Sequence, residues 1–105
     1  MTEQIQDTWT AENILQYLEA HREQLKALGV VQLGLFGSYA RGEQTTDSDL
    51  DFIVEMESTS FKNYMTLWHF LEDSFEMSVD LGEQHLIRDE IRPQVLRDVR
   101  YVKGL

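Results

Sequence analysis

Apolar residues along this chain recur with two periods, and the alternation between them lays out the elements. Ile14, Leu15, Leu18, Leu25 and Leu28 fall at helical spacing behind Thr10, whose hydroxyl suits an N-cap, and Gly29 is a natural stop. One helix is expected here, with Glu19, Glu23 and Lys26 on its wet side. Val30–Phe36 is nearly all apolar, as in a strand buried on both faces, and Gly34 within it marks a point of close packing. Residues 37–42 read as a turn and one short helical turn, 43–48 as a polar surface loop, and 49–56 as a second strand. Residues 57–60 break the pattern and supply an N-cap for a helix over 61–76. Its apolar positions are Phe61, Tyr64, Met65, Trp68, Leu71 and Phe75, a stripe that reads as a core face rather than a ligand pocket. Residues 77–81 are β-prone and run into Gly82, which predicts a third strand. Pro93 fits only a first helical turn, so the last helix, near 89–97, should begin close to Ile91 or Arg92. Residues 99–102 alternate and suggest a short terminal strand. Residues 1–9 are polar and expected to fray or dock lightly, leaving 10–105 as a single domain. His21 reads as a surface histidine because no acidic or histidine partner falls at metal-site spacing, and His69 lies off the aromatic stripe, in solvent.

Composition changes this picture in three places. The 105 residues are 42% apolar and 27% charged, ordinary for a globular domain. The absence of cysteine excludes disulfides and thiolate metal sites. No apolar run approaches the roughly 20 residues that span a bilayer, and the Met1-Thr2-Glu3-Gln4 start lacks the basic and apolar parts of a signal peptide. A cytoplasmic protein with no membrane partner is the expectation. The charge is more telling. Nine basic residues stand against 19 acidic ones, for a net charge of −10, which argues against tight binding of a polynucleotide backbone. The acid is concentrated in residues 1–82, with 15 acidic and 4 basic side chains, whereas residues 83–105 carry 4 and 5. Such a surface suits a basic protein partner, or simply keeps the chain soluble.

The candidate chemistry lies between the first two strands. Gly37-Ser38 follows the first, ten residues intervene, and Asp49-Leu50-Asp51 opens the second. Residues i and i+2 of a strand share a face, so Asp49 and Asp51 point together while Leu50, Phe52 and Val54 point away. Two carboxylates this close both stay ionised only when a cation lies between them, and Mg²⁺ takes one or two carboxylates together with substrate phosphates. A Gly-Ser turn entering a helix aims backbone N–H groups and a hydroxyl at a phosphate, and glycine lets that phosphate approach closely. A lone Asp80 near a strand end is usually a cap or turn former. A right-handed crossover through the helix over 61–76, however, sets the third strand parallel to the second or one strand away, which lets Asp80 join the other two acids. Arg41 is placed either to reach a phosphate or to pair with Glu43 or Asp47, and Tyr39 either flanks a nucleotide or packs.

At these residues the sequence resembles the minimal nucleotidyltransferase (MNT) family, small prokaryotic members of the DNA polymerase β-like nucleotidyltransferase superfamily. The family pattern is Gly-Ser, ten residues, Asp-x-Asp, then a third Asp on a later strand. Here it reads Gly37-Ser38, Asp49-Leu50-Asp51, and Asp80 within Val79-Asp80-Leu81, with Ala40-Arg41-Gly42 and Ser48 also in keeping. The likeness covers roughly residues 10–102. It implies an α/β fold, a small mixed sheet of about four strands flanked by helices, like a polymerase β palm. It implies Mg²⁺-dependent transfer of a nucleoside monophosphate from an NTP such as ATP, with two ions held by Asp49, Asp51 and Asp80 and the β- and γ-phosphates held by Gly37 and Ser38. It also implies a HEPN toxin as partner, silenced by AMP placed on a tyrosine. Without a second domain for a small acceptor or a basic groove for RNA, an acceptor carried by another protein fits best. The alternatives are an antitoxin that neutralises by binding alone and a nucleotidyltransferase acting on a small molecule.

Overall fold

The computed structural model describes residues 9–57 and 60–105. Residues 1–8 of the polar N-terminal segment lie outside the described residues, as do 58 and 59 before the second long helix. Trp9 is docked, with its ring edge-on to Phe75 at 4.7 Å and to Tyr17 at 6.1 Å between centroids.

Helix α1 (Ala11–Ala20) starts at a reciprocal cap. The Thr10 hydroxyl accepts from the Asn13 N–H at 3.2 Å, and the Thr10 N–H donates to Asn13 Oδ1 at 2.7 Å. The single helix expected over this stretch is interrupted at His21, beyond which α2 (Arg22–Ala27) continues. The His21 N–H bonds back to the Leu18 carbonyl at 3.1 Å, a tightened last turn, and its ring stacks on Tyr17 at 4.2 Å and tilts against Phe70. His21 Nδ1 is 2.8 Å from the Tyr17 carbonyl oxygen, so this histidine is half-buried among aromatic rings rather than on the open surface.

Strand β1 (Val30–Phe36) leads through α3 (Gly37–Arg41) and the polar loop to β2 (Leu50–Met56). Then α4 (Phe61–Phe75) crosses to β3 (Val79–Glu83), a single 3₁₀ turn (Gln84–Leu86), α5 (Arg92–Asp98) and the two-residue β4 (Arg100–Tyr101). The sheet order is β3-β2-β1-β4, with β2 and β3 parallel and both pairs involving β1 antiparallel. The fold is thus α/β, with the small mixed four-stranded sheet that the sequence implied.

The core lies between one face of the sheet and helices α1, α2 and α4. Leu33, Leu35, Leu50, Phe52 and Val54 meet Ile14, Leu18, Leu25, Leu67 and Leu71, all fully buried, with Phe75 at 1% exposure. Each such side chain contributes roughly 1.5–3 kcal/mol by leaving water. The opposite face carries Asp51 and Ile53, and the 3₁₀ turn and α5 lie over part of it.

Four expectations shift. The core line of α4 runs through Leu67, Leu71 and Phe75, and Phe61, roughly 120° round the helix from Leu67 at 3.6 residues per turn, is 76% exposed. Tyr64 and Trp68 turn instead to the edge strand. Trp68 Nε1 donates to the Val79 carbonyl at 2.9 Å and the Tyr64 hydroxyl donates to the Leu81 carbonyl, so the outward carbonyls of β3 are covered. Strand β3 begins two residues later than expected and passes through Gly82, because its ladder with β2 continues to Val54↔Glu83. Strand β1 is buried on both faces only over Leu33–Leu35, and Val31 is 41% exposed. Gly34 does mark close packing, since a Cβ there would stand 2.5 Å from Val99 Cγ2 and 3.0 Å from the Tyr101 ring.

Candidate active site

The site is assembled where β1 ends and β2 and β3 begin. Gly37 turns the chain out of β1 with φ 78°, a conformation that favours glycine. A Cβ at this position would collide with the carboxylate of Asp51. The Gly-Ser turn and the second acid of Asp-x-Asp, 14 positions apart in the sequence, therefore touch. Register explains the contact, because Phe36, the residue before Gly37, is paired with Asp51 across the antiparallel ladder. Ser38 follows in the first turn of α3, half-buried.

Asp80 enters from the other side of β2. The crossover through α4 makes β3 parallel to β2, and in that ladder Asp51 is the direct partner of Asp80. Paired residues on adjacent strands project from the same face of a sheet. Asp49 stands one residue before the β2 ladder, whose first bond is from the Leu50 N–H to the Ser78 carbonyl at 3.0 Å. Asp49 and Asp80 are exposed, and Asp51 is half-buried between its neighbours.

The electrostatics follow from this placement. Burial pushes the Asp51 carboxyl from 3.8 up to about 6, helped by the negative charges of Asp80 and Asp49 and opposed by Arg41. Both other acids of the expected cluster thus act on Asp51 at one end of the sheet. Among the described residues, no group of three or more His, Cys, Asp or Glu is placed to hold a metal ion. The donor chemistry, a half-buried carboxylate with two others acting on it, would fit a hard divalent cation of the Mg²⁺ type that completes its shell with water and phosphate oxygens.

Arg41 resolves toward the ion-pair alternative. Its Nε is 3.0 Å from Glu43 Oε1, and its second partner is Asp98 of α5 at 3.6 Å, not Asp47. Its charge is still sensed by Asp51. Tyr39 resolves toward packing, at 8% exposure in the core cluster, with its hydroxyl pushed up by burial.

Two hollows flank these residues. The larger, about 700 Å³, lies behind the loop that carries Asp49 and is bounded by Trp9, Tyr39, Gln44, Ser48 and Glu76, but by none of the three aspartates. The smaller, about 360 Å³, is a groove on the open sheet face that has Asp80 in its wall, with Ile53, Tyr64, Leu86 and Ile91. The carboxylates, not the volume, mark the site. The Tyr64 hydroxyl is pushed up by burial first and then by Glu83 and Asp80, which places both negative charges at this groove. Sequence reading had no role for Leu86, Ile87, Ile91 or Val95. The signal was present as apolar residues in a segment that supplied only a short helix.

A model of the nucleotidyltransferase domain family matches residues 18–102. The chain is similar to protein adenylyltransferase MntA from Thermococcus cleftensis, with 39% identity over 95 residues that span 89% of this chain and 96% of the relative. A solved structure described as a candidate minimal nucleotidyltransferase superposes with a TM-score of 0.74 and 31% identity, over 89% of this chain and 96% of the other. The fold is also shared, at a TM-score of 0.59 and 21% identity, with a chain of the tri-AMPylated Shewanella oneidensis HEPN toxin in complex with MNT antitoxin, over 87% of this chain and 73% of that one.

Proposed function

Because this chain belongs to the nucleotidyltransferase domain family, we propose that it is a Mg²⁺-dependent enzyme that transfers AMP from ATP to a tyrosine of a cognate HEPN-type toxin, and so serves as the antitoxin of the pair. The observation that carries the reading is the threefold meeting at Asp51. Its carboxylate fills the space a Cβ on Gly37 would need, its ladder partner is Asp80, and Asp49 adds a third negative charge. The Gly37-Ser38 turn and the three acids are therefore neighbours, which supports a phosphate-holding turn beside an ion site. The designation of the Thermococcus relative supports a protein as acceptor, and the toxin complex among the fold neighbours supports a HEPN-type partner.

In this reading Asp49, Asp51 and Asp80 hold the divalent ions, which, when bound, offset the charge of the phosphates and stabilise the developing negative charge. Gly37 and Ser38 would hold the β- and γ-phosphates beside the acids. The tyrosine oxygen forms the new bond to the α-phosphorus, the bond to the β-phosphate oxygen breaks, and pyrophosphate leaves. Asp80, exposed on the edge strand, would bind the ion nearer the acceptor and help take the phenolic proton. Arg41, tied to Glu43 and Asp98, braces α3 against α5 and lends positive charge to the cluster.

A second reading, neutralisation by binding alone, is favoured by the exposed apolar side chains Phe61 and Leu86, at 76% and 65% exposure. One experiment separates the two. The protein is incubated with ATP labelled at the α-phosphate, Mg²⁺ and the product of the adjacent gene, with Asp49→Asn in parallel. Label on a partner tyrosine, absent with the variant, is the expected result. Neutralisation that survives Asp49→Asn with no label transferred would establish occlusion instead.

A further inference from the structure

We propose that the apolar groove beside Asp80 seats the aromatic ring of the acceptor tyrosine, and that Leu86 and Ile91 are the residues that select a tyrosine over an aliphatic hydroxyl. The inference rests on the transfer reading above and adds how the acceptor is recognised.

Topology comes first. In the order β3-β2-β1, the Gly37-Ser38 turn and Asp80 lie on opposite sides of Asp51. The groove reaches the Gly37-Ser38 turn only as far as Phe36, and neither Gly37, Ser38 nor Arg41 lines it. The chemistry of the lining comes second. The floor and walls are mostly carbon, from Phe36, Ile53, Leu86, Ile91 and Val95, while Asp80 and Glu83 are negative and Arg88 is positive. With two negative charges against one positive, carbon walls such as these offer little to a phosphate or to a small polar molecule. They match a side chain with an apolar body and a hydroxyl tip, the body against the walls and the tip at Asp80. At about 360 Å³ the groove is at the small end of the 300–1,000 Å³ range of small-ligand clefts, room for one aromatic side chain. A serine or threonine acceptor would leave the walls wet. Exposure comes third. Leu86 and Ile91 stand 65% and 47% open on the groove walls, apolar surface that an incoming ring would cover.

Two measurements test this on the full chain. In the first, methyl-labelled protein is titrated with N-acetyl-tyrosinamide, with N-acetyl-serinamide and with the nucleotide analogue AMP-PNP plus Mg²⁺. Tyrosinamide should move the methyl resonances of Ile53, Leu86 and Ile91, and serinamide should not. If AMP-PNP moves those methyls and tyrosinamide does not, the groove holds the base and the proposal is wrong. No response to tyrosinamide overturns it too. Because this readout needs no turnover, tyrosinamide binding in the groove by a protein that labels no partner would sink the transfer reading and leave the groove assignment standing. In the second, the double variant Leu86→Ser, Ile91→Ser, at exposed positions that should leave melting unchanged, is expected to raise the KM for the partner by about tenfold or more with the KM for ATP unchanged. A raised KM for ATP with an unchanged KM for the partner would overturn the proposal.

Discussion

Replacing Asp51 with asparagine should stabilise the metal-free protein while abolishing its activity. The Asp51 carboxyl is half-buried beside Asp80 and Asp49, and holds its proton more tightly in the folded chain than in the unfolded one, at about 6 against 3.8. At pH 8 the folded protein must carry this charge in an unfavourable place. Taken at face value the displacement corresponds to about 3 kcal/mol of lost stability. Asp51 is only half-buried and its two acidic neighbours are exposed, so solvent screening reduces the figure to ~1 kcal/mol. For a domain of this size that is roughly 4–8 °C in melting temperature. The direction with pH follows from linkage. A carboxyl whose folded value is raised binds more protons in the native state, so the penalty is absent below about pH 4 and complete as pH rises through 6. Asparagine keeps the size of the side chain against Gly37 and removes the charge. Thermal melts of the wild type and Asp51→Asn in EDTA, at pH 8 and pH 4, should show a variant more stable at pH 8 and a gap that closes at pH 4. A variant that melts lower than the wild type at pH 8, or a gap indifferent to pH, would refute the crowding of acids on which the site is built.

Two further substitutions probe the turn. Gly37→Ala places a Cβ against the Asp51 carboxylate at a positive φ, and should lower stability by about 1–3 kcal/mol and impair nucleotide binding, measured by melting and by calorimetric titration with AMP-PNP. Ser38→Ala should weaken use of ATP, read as a fall in turnover, with little change in melting, and unchanged turnover would count against a phosphate role for the hydroxyl.

Much of the fold was legible because its signals are local. The Thr10 cap, the apolar run of Val30–Phe36, and the short helix entered at Gly37 each depend on residues within a few positions, and each stands where periodicity put it. The errors came where a distant partner overrode local preference. Gly82 looked like a stop, but the ladder with β2 carries β3 through it. The helix from Thr10 was expected to be unbroken, but the His21 ring is held by Tyr17 and Phe70, the latter from α4. The aromatic stripe of α4 reads as one face in the sequence, but Tyr64 and Trp68 answer carbonyls on an edge strand that only the tertiary fold brings near.

The candidate site divides in the same way. The expectation that Asp49 and Asp51 act together, behind a turn able to approach a phosphate, rests on the period of a strand and the freedom of glycine, and so belongs to the sequence alone, although Asp49 stands just ahead of β2. That Asp80 stands beside Asp51, that Arg41 is held by Asp98, that Tyr39 turns into the core, and that an apolar groove ends at Asp80 were decided by the tertiary structure. The physical reason is that strand register and helix docking are set by burying the whole sheet face at once. Side chains far apart in the chain meet as a consequence of that burial, and no local pattern records the meeting.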